Sequence, residues 1–87
     1  MGHGSHNKPE ILAEAFGAVL REVRKERGLS QEDLGFESGY HRTYVSLLER
    51  GLKSPSLQTI FELARALDIQ PSKLLARVER TTIGKPK

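Results

Sequence analysis

The sequence of 87 residues contains no cysteine. Without cysteine, neither disulfide bonds nor thiolate metal sites can form, and the absence fits a reducing compartment. No apolar run approaches the roughly 18 residues that a membrane span requires, and no signal-peptide core follows the first residues. These absences predict a cytoplasmic protein that has no membrane segment and that holds neither a metal ion nor a cofactor.

Catalytic patterns are also missing. The sequence has no nucleophile–histidine–acid set, no glycine-rich phosphate loop and no HExxH-like zinc motif. His41 stands alone, and His3 and His6 lie in an unpatterned segment that makes no closed metal site. A chain this short hides only about 60% of its unfolded surface, which leaves little room for a deep cleft. We therefore expect one domain that is not an enzyme.

Charge is distributed unevenly along the chain. Lysine and arginine number 14 against 11 acidic residues, for a net charge of +3. Residues 1–50 hold 7 basic and 8 acidic side chains, whereas residues 51–87 hold 7 and 3. Such a small net charge is weak evidence for a nucleic-acid partner. The distribution nevertheless places any anionic partner near the middle and the C-terminal half.

Apolar residues recur at intervals of three and four, which indicates five helices and no strands. The helices are expected at Pro9 to about Arg27, Ser30 to about Ser38, Arg42 to about Arg50, after Ser54-Pro55-Ser56, and from Gln70-Pro71. Ser30 and Asp33 have capping-box spacing, and Gly39 is expected to end the second helix. In the fourth helix the expected buried face is Leu57, Ile60, Phe61, Ala64 and Leu67. We expect a flexible leader at 1–8, a domain at 9–80 and a flexible tail at 81–87.

The segment from Leu29 to Ile69 resembles the phage repressor and Cro type of helix-turn-helix, the XRE family of bacterial regulators. The matching residues are Ser30-Gln31, Leu34, Gly39, Arg42-Thr43-Tyr44-Val45-Ser46, Glu49-Arg50-Gly51, Pro55-Ser56, Ala64 and Leu67. With the first helix, the match covers about residues 11–76. The controller proteins of restriction–modification systems are a similar subgroup, because they too consist of little beyond this domain.

The resemblance implies an all-α, five-helix, phage-repressor-like domain that binds double-stranded DNA. In this interpretation the chain is a sequence-specific transcriptional regulator that reads the major groove with the helix at about 42–50. It would act as a homodimer on a palindromic operator, either as a repressor or as an activator that contacts RNA polymerase. The alternative is a protein-interaction module, antitoxin-like or an adaptor, that reuses the same fold.

Three residues on the outer side of the third helix are predicted to contact bases. Arg42 can make a bidentate contact to guanine, and Thr43 can offer its hydroxyl or its methyl group. Leu47 can meet a thymine methyl, although partial burial would explain this leucine equally well. The alternative for Arg42 is a solvated surface side chain. Val45 and Leu48 are predicted to form the inward side of this helix.

Contacts to the DNA backbone are predicted around this helix. Gln31 starts the second helix, where free N–H groups favour an anion, and relatives use a glutamine there to hold a phosphate and brace the recognition helix. The other predicted phosphate contacts are Tyr44, Ser46, Arg50 and Lys53, which would set register rather than sequence choice. Tyr44 could instead pack against a neighbouring helix. By resemblance, Arg24 and Glu49 form a structural ion pair.

Two positions depart from the family pattern. Gly35 stands where alanine is usual, and His41 stands where serine or threonine usually caps the recognition helix. Imidazole is a poorer cap, so the start of that helix could shift by one residue or fray.

The predicted dimer interface is the fifth helix with its preceding turn, at Ile69, Leu75 and Val78, and the alternative is that these residues close the monomer core.

Overall fold

Five α-helices follow one another in the computed structural model, which describes residues 9–82 and the side chains from residue 11 onward. They are α1 (Pro9–Glu26), α2 (Gln31–Ser38), α3 (Arg42–Glu49), α4 (Leu57–Ala66) and α5 (Pro71–Thr82). The predicted all-α, five-helix fold is confirmed, and residues 9–82 contain no strand. None of the helices among residues 9–82 combines the length and the apolar composition that a membrane span requires.

The predicted leader and most of the predicted tail lie at the two ends of the chain. The expected leader at 1–8, with His3 and His6, and residues 83–87 of the expected tail lie outside the described residues. Helix α5 continues to Thr82, so the expected domain boundary after residue 80 falls inside a helix. Among the described side chains, no three of His, Asp or Glu are grouped so that they could hold a metal ion.

Two serines start α2 and α4. Ser30 Oγ accepts a hydrogen bond from the Asp33 backbone N–H at 2.9 Å, and the Asp33 carboxylate accepts one from the Ser30 N–H at 3.0 Å. This completes the predicted capping box. Ser56 Oγ accepts from the Thr59 N–H at 3.1 Å. Gly39 ends α2 with a φ of 84°, a left-handed conformation that glycine adopts at little cost.

The core lies where all five helices meet. Each helix contributes a leucine that is 0% exposed, namely Leu20, Leu34, Leu48, Leu63 and Leu74. Helix α1 packs against α3 and α5, while α2 packs against α3 and α4. Helices of 8 residues such as α2 and α3 are not stable in isolation. Their positions therefore depend on this shared core.

The buried face of α4 differs from the prediction. Leu57 and Phe61, which were expected inside, are 67% and 52% exposed, whereas Leu63 and Thr59 are buried. Burial of Thr59 is tolerated because its hydroxyl accepts a hydrogen bond from the Tyr40 hydroxyl at 3.1 Å. Two overlapping apolar stripes of α4 both satisfy helical spacing, and the prediction for Leu57 and Phe61 followed the wrong one.

Two glycines allow helices to approach closely. A Cβ atom at Gly17 would collide with the carbonyl oxygen of Leu48 and would lie 2.6 Å from that of Glu49. A Cβ atom at Gly35 would lie 2.5 Å from the carbonyl oxygen of Tyr40. At Gly35, where relatives usually have alanine, this chain therefore brings its backbone too close for a methyl group.

Charged side chains connect α1 to the C-terminal helices. Arg77 of α5 lies 3.0 Å from Glu22 and 2.9 Å from Glu26, both on α1. The hydrogen bonds from Arg77 lower the pKa of Glu26. Arg27 Nε donates to the Leu67 carbonyl oxygen at 2.7 Å, where α4 ends. Exposed pairs such as those of Arg77 stabilise a fold only slightly, so the core carries most of the stability.

Candidate nucleic-acid interface

Helices α2 and α3 are joined by a tight turn, and α3 begins at a histidine cap. His41 Nδ1 accepts a hydrogen bond from the Thr43 backbone N–H at 3.0 Å, so α3 starts at Arg42. Its start is thus the predicted one. Val45 and Leu48, the predicted inward side, are both 0% exposed. The opposite side of α3 is directed away from the core.

The outer side of α3 comprises positions 42, 43, 46, 47 and 50. Residues four apart lie on the same face of a helix, so 42, 46 and 50 form one row and 43 and 47 form the row beside it. Arg42 and Thr43 are exposed at its start, and Leu47 is half-buried farther along. A guanidinium group offers five donors in a planar fork that matches the acceptor edge of guanine. Arg42 and Thr43, the two polar residues predicted to contact bases, are therefore accessible to DNA. Leu47 is partly packed against the protein and partly exposed.

The predicted pair between α1 and the end of α3 is present. Arg24 Nε donates to Glu49 Oε2 at 2.6 Å, and Arg24 Nη2 donates to Glu49 Oε1 at 2.9 Å. Arg24 Nη1 also donates to the Leu29 carbonyl oxygen at 2.8 Å. The two side chains are only 9% and 3% exposed. Hydrogen bonding to Glu49 raises the pKa of Arg24 against the opposing effect of burial, so the guanidinium stays charged.

Gln31 joins this pair from α2. The half-buried Gln31 side chain donates from Nε2 to Glu49 Oε1 at 2.9 Å, so one carboxylate connects α1, α2 and α3. The amide has a second N–H, and Gln31 is the first residue of α2, where a helix N-terminus favours an anion. The bracing of α3 is thus observed, and the phosphate contact of Gln31 stays a prediction compatible with it.

The remaining predicted phosphate contacts lie on α3 and just beyond it. Arg50 and Lys53 are exposed, and Arg50 Nε donates to Ser46 Oγ at 3.3 Å. The half-buried Tyr44 ring packs on Tyr40, with ring centroids 5.3 Å apart. This is the packing that the sequence left open for Tyr44. The contact between the Tyr44 hydroxyl and a phosphate stays a prediction.

The predicted dimer residues are divided between the core and the surface. Val78 is 4% exposed and belongs to the core, which is the alternative that the sequence left open for it. Ile69 is half-buried against the same core, and Leu75 is 37% exposed. Leu75 opens onto an apolar groove whose lining also includes Leu12, Ala13, Phe16, Ser54, Pro55, Ile60 and Val78.

Exposed apolar side chains are the features that the sequence interpretation missed. Phe36 of α2 is 85% exposed, and it shares a shallow depression with Glu32, Tyr40, His41 and Arg42. Its spacing of two residues from the buried Leu34 puts Phe36 off the inward stripe, and this signal could have revealed it. Leu12, in the first turns of α1, is also exposed, at 56%.

Known proteins share both the sequence pattern and the fold. Residues 20–74 match the family model described as helix-turn-helix. Control protein C.BamHI of Bacillus amyloliquefaciens is 44% identical over 70 residues, which cover 79% of this chain and 83% of that protein. Further relatives are named HTH-type transcriptional regulators.

Two solved structures illustrate the similarity of the fold. The restriction–modification controller protein C.AhdI from Aeromonas hydrophila has a TM-score of 0.70 and 52% sequence identity, covering 71% of this chain and 94% of that one. The controller C.Esp1396I, solved as a tetramer with its natural 35-base-pair operator, has a TM-score of 0.76, covering 83% of this chain and 95% of that one. Its identity of 24% extends the likeness to the fold alone.

Proposed function

We propose a function for this chain from one established premise: it belongs to the helix-turn-helix family, which includes HTH-type transcriptional regulators and restriction–modification controller proteins. The resemblance to repressor-type regulators is thereby confirmed. The family is one of DNA-binding regulators rather than enzymes, and this chain is a DNA-binding transcriptional regulator of that kind. Our proposal concerns how its residues bind DNA and how the protein assembles.

We propose that α3 enters the major groove with its outer side toward the bases. A helix about 10–12 Å wide fits a groove roughly 12 Å across. The observation that carries this proposal is the division of α3 into a fully buried side, with Val45 and Leu48, and an accessible side that starts with Arg42 and Thr43. Arg42 binds a guanine, Thr43 contacts the neighbouring base and Leu47 meets a thymine methyl.

Backbone contacts hold the helix in register. Gln31, Tyr44, Ser46, Arg50 and Lys53 are the proposed phosphate ligands. Arg50 and Lys53 are exposed at and beyond the C-terminal end of α3, and Gln31 starts α2. They therefore flank the base-reading residues. Contacts of this kind supply affinity and salt dependence rather than sequence choice.

We propose that the protein acts as a homodimer on a roughly two-fold symmetric operator. One recognition helix reads too few base pairs to be specific in a genome, and two copies would place their helices about 34 Å apart. The operator complex of C.Esp1396I, which shares this fold, contains a tetramer. Leu75 with the groove that it shares with Leu12 and Ile60 is the proposed contact surface, while Val78 lies beneath it.

Sedimentation of two variants tests the interface. Leu75→Asp places a charge in the groove and should shift the dimer to monomer, because an unpaired charge is costly to bury in an interface. Phe36→Asp is the matched control, since Phe36 is exposed on α2 away from this groove. The interface would be wrong if Leu75→Asp sedimented like the wild type, or if only the Phe36 variant dissociated.

Selection of bound duplexes from a random pool tests the function itself. The proposal predicts a roughly two-fold symmetric consensus and a steep loss of affinity with salt. Each phosphate neutralised should add about 0.9 to the slope of log affinity against log salt. Binding that ignores sequence would contradict a specific regulator.

We further propose that regulation takes place in the cytoplasm and that activation, where it occurs, uses contact with RNA polymerase. The exposed Phe36, flanked by the exposed Glu32 and Glu37, offers polymerase a surface next to Arg42. Phe36→Ser should abolish activation in a purified transcription assay and leave DNA affinity unchanged. Equal transcription by both proteins would remove this surface from the proposal.

A further inference from the structure

Within the part of the chain that the structure describes, α2, α3 and α4 start with a side-chain cap, and one of these three caps is an imidazole. The Ser30 and Ser56 hydroxyls cap α2 and α4 at 2.9 Å and 3.1 Å. Helix α3 is capped by His41 Nδ1 at 3.0 Å. Hydroxyl groups do not titrate between pH 5 and 8, whereas imidazole does. The titratable cap belongs to the helix that reads DNA.

The cap exists only while His41 is neutral. Nδ1 can accept the Thr43 N–H only with an unprotonated lone pair, so the neutral ring must carry its hydrogen on Nε2. In the imidazolium form both ring nitrogens are donors, and the Thr43 N–H loses its partner. The first turn of α3 contains no acidic residue that could replace the cap, whereas the first turn of α2 contains Asp33. A cation at this end also opposes the helix dipole.

Charged side chains of α2 and α3 share a shallow depression with His41. Glu32 of α2 and Arg42 of α3 line this depression together with His41, Phe36 and Tyr40. The depression therefore contains one acidic and one basic side chain besides His41. The Tyr40 hydroxyl is engaged with Thr59 of α4. Among the described residues, the hydrogen bond that protonation of His41 removes is the cap on the Thr43 N–H.

We propose that His41 is a positioning residue that makes DNA binding sensitive to pH. Protonation releases the Thr43 N–H, the first turn of α3 loosens, and the base-reading side chains of Arg42 and Thr43 lose their fixed position. Affinity for the operator therefore falls as the pH drops from 8 to 5.5. This inference rests on the proposed function of α3 as the recognition helix.

The first test compares wild type with His41→Ser on a selected duplex, from pH 8 to pH 5.5 at constant ionic strength. Serine keeps an accepting oxygen at the cap but does not titrate, so the variant should stay within about twofold of wild type at pH 8. On acidification, wild type should lose about fivefold more affinity per protomer than the variant. Every position other than 41 is identical in the two proteins, so contributions from other residues cancel.

Three outcomes of this comparison would overturn the proposal. If affinity fell with pH in the same way in both proteins, His41 would not be the cause of the pH dependence. A wild-type affinity that rises relative to His41→Ser would mean that attraction between imidazolium and phosphate exceeds the loss of the cap. Absence of binding at every pH would overturn the proposed function together with its pH dependence, whereas parallel curves would leave that function intact.

The second test needs no DNA. Ring nitrogen shifts of His41 in the free protein should show the hydrogen on Nε2 at pH 8. The Thr43 amide shift should then move with the same midpoint as the His41 ring. The Thr59 amide, which Ser56 caps, is the control and should not move with that midpoint. Independent titration of His41 and Thr43 would overturn the proposal even if the protein binds DNA as expected.

Discussion

The two ends of α3 are held in different ways. At the C-terminal end, the Glu49 side chain is 3% exposed and accepts hydrogen bonds from Arg24 and Gln31, and the backbone lies against Gly17 of α1. At the N-terminal end, Arg42 and Thr43 are exposed, and one hydrogen bond to an exposed histidine ring caps the helix.

The two ends of α3 therefore have different functions. Residues at the C-terminal end fix the position of α3 on the protein, so changes there should reduce stability first and DNA binding only as a consequence. Residues at the N-terminal end face outward, so changes there should affect DNA binding with little loss of stability. Variants at the two ends can therefore be distinguished by measuring unfolding and DNA affinity separately.

The largest expected effect is at the anchored end. Arg24→Ala leaves the Glu49 carboxylate buried without its cation, which should cost about 3–5 kcal/mol of unfolding free energy in urea titrations. Arg21→Ala is the matched control, because Arg21 is an exposed arginine one turn earlier on α1. It should change stability by less than about 0.5 kcal/mol. Equal losses in both variants would contradict an anchor at Arg24.

The next effect is opposite in sign to what helix propensity predicts. Alanine in place of glycine should stabilise an exposed helix by about 1 kcal/mol. Gly17→Ala should instead destabilise the protein by about 1–3 kcal/mol, because the new methyl group collides with the Leu48 carbonyl oxygen at the end of α3. Thermal unfolding followed by circular dichroism decides the sign. A rise in melting temperature would show that α1 and α3 separate readily.

Away from the Arg24–Glu49 pair, an arginine variant and a lysine variant at exposed positions should reduce DNA binding in different ways. Arg42→Ala should cost about 1–3 kcal/mol of binding and relax the choice of base at one position per half-site. Lys53→Ala should weaken all duplexes alike and lower the salt slope by about one. Both should unfold like the wild type. If both variants lost affinity uniformly, the division into base-reading and phosphate-binding residues would be wrong.

The smallest expected effect concerns the cap of α2, which contrasts with the histidine cap of α3. The hydrogen bond from the Ser30 backbone lowers the pKa of Asp33 in the folded protein. The stabilisation is therefore complete above the unfolded value of about 3.9 and is lost as the pH falls through the lower folded value. Asp33→Asn should lack this acid-dependent loss in melting experiments between pH 5 and 2. An unchanged profile would show that the carboxylate does not titrate with folding.

Local signals predicted much of this molecule. Helical spacing and the Ser30–Asp33 pair indicated the elements and one cap, because both depend on residues within a turn or two of each other. The Arg24–Glu49 pair came from the family resemblance, since 25 residues separate the partners and spacing alone gives no reason to join them. The sequence therefore predicted the helices and this cap, because the residues that determine them lie close together along the chain.

Tertiary contacts explain what the sequence did not reveal. Leu57 and Phe61 fit the helical period as well as the residues that are buried, and only the position of α4 against α2 and α5 selects between them. Val78 was expected in an interface, but α1 and α5 pack closely enough to bury it. Gly17 gave no signal, because its role depends on how near the end of α3 comes to α1.

The single carboxylate that joins three helices has a consequence for the design of new specificities. Glu49 holds α3 in position because its carboxylate accepts hydrogen bonds from α1 and α2. The residues at 42, 43 and 47 can therefore be exchanged as a set without moving the helix. Libraries randomised at these three positions should retain folded members at high frequency. The domain would then serve as a scaffold for retargeting to operators that the natural protein ignores.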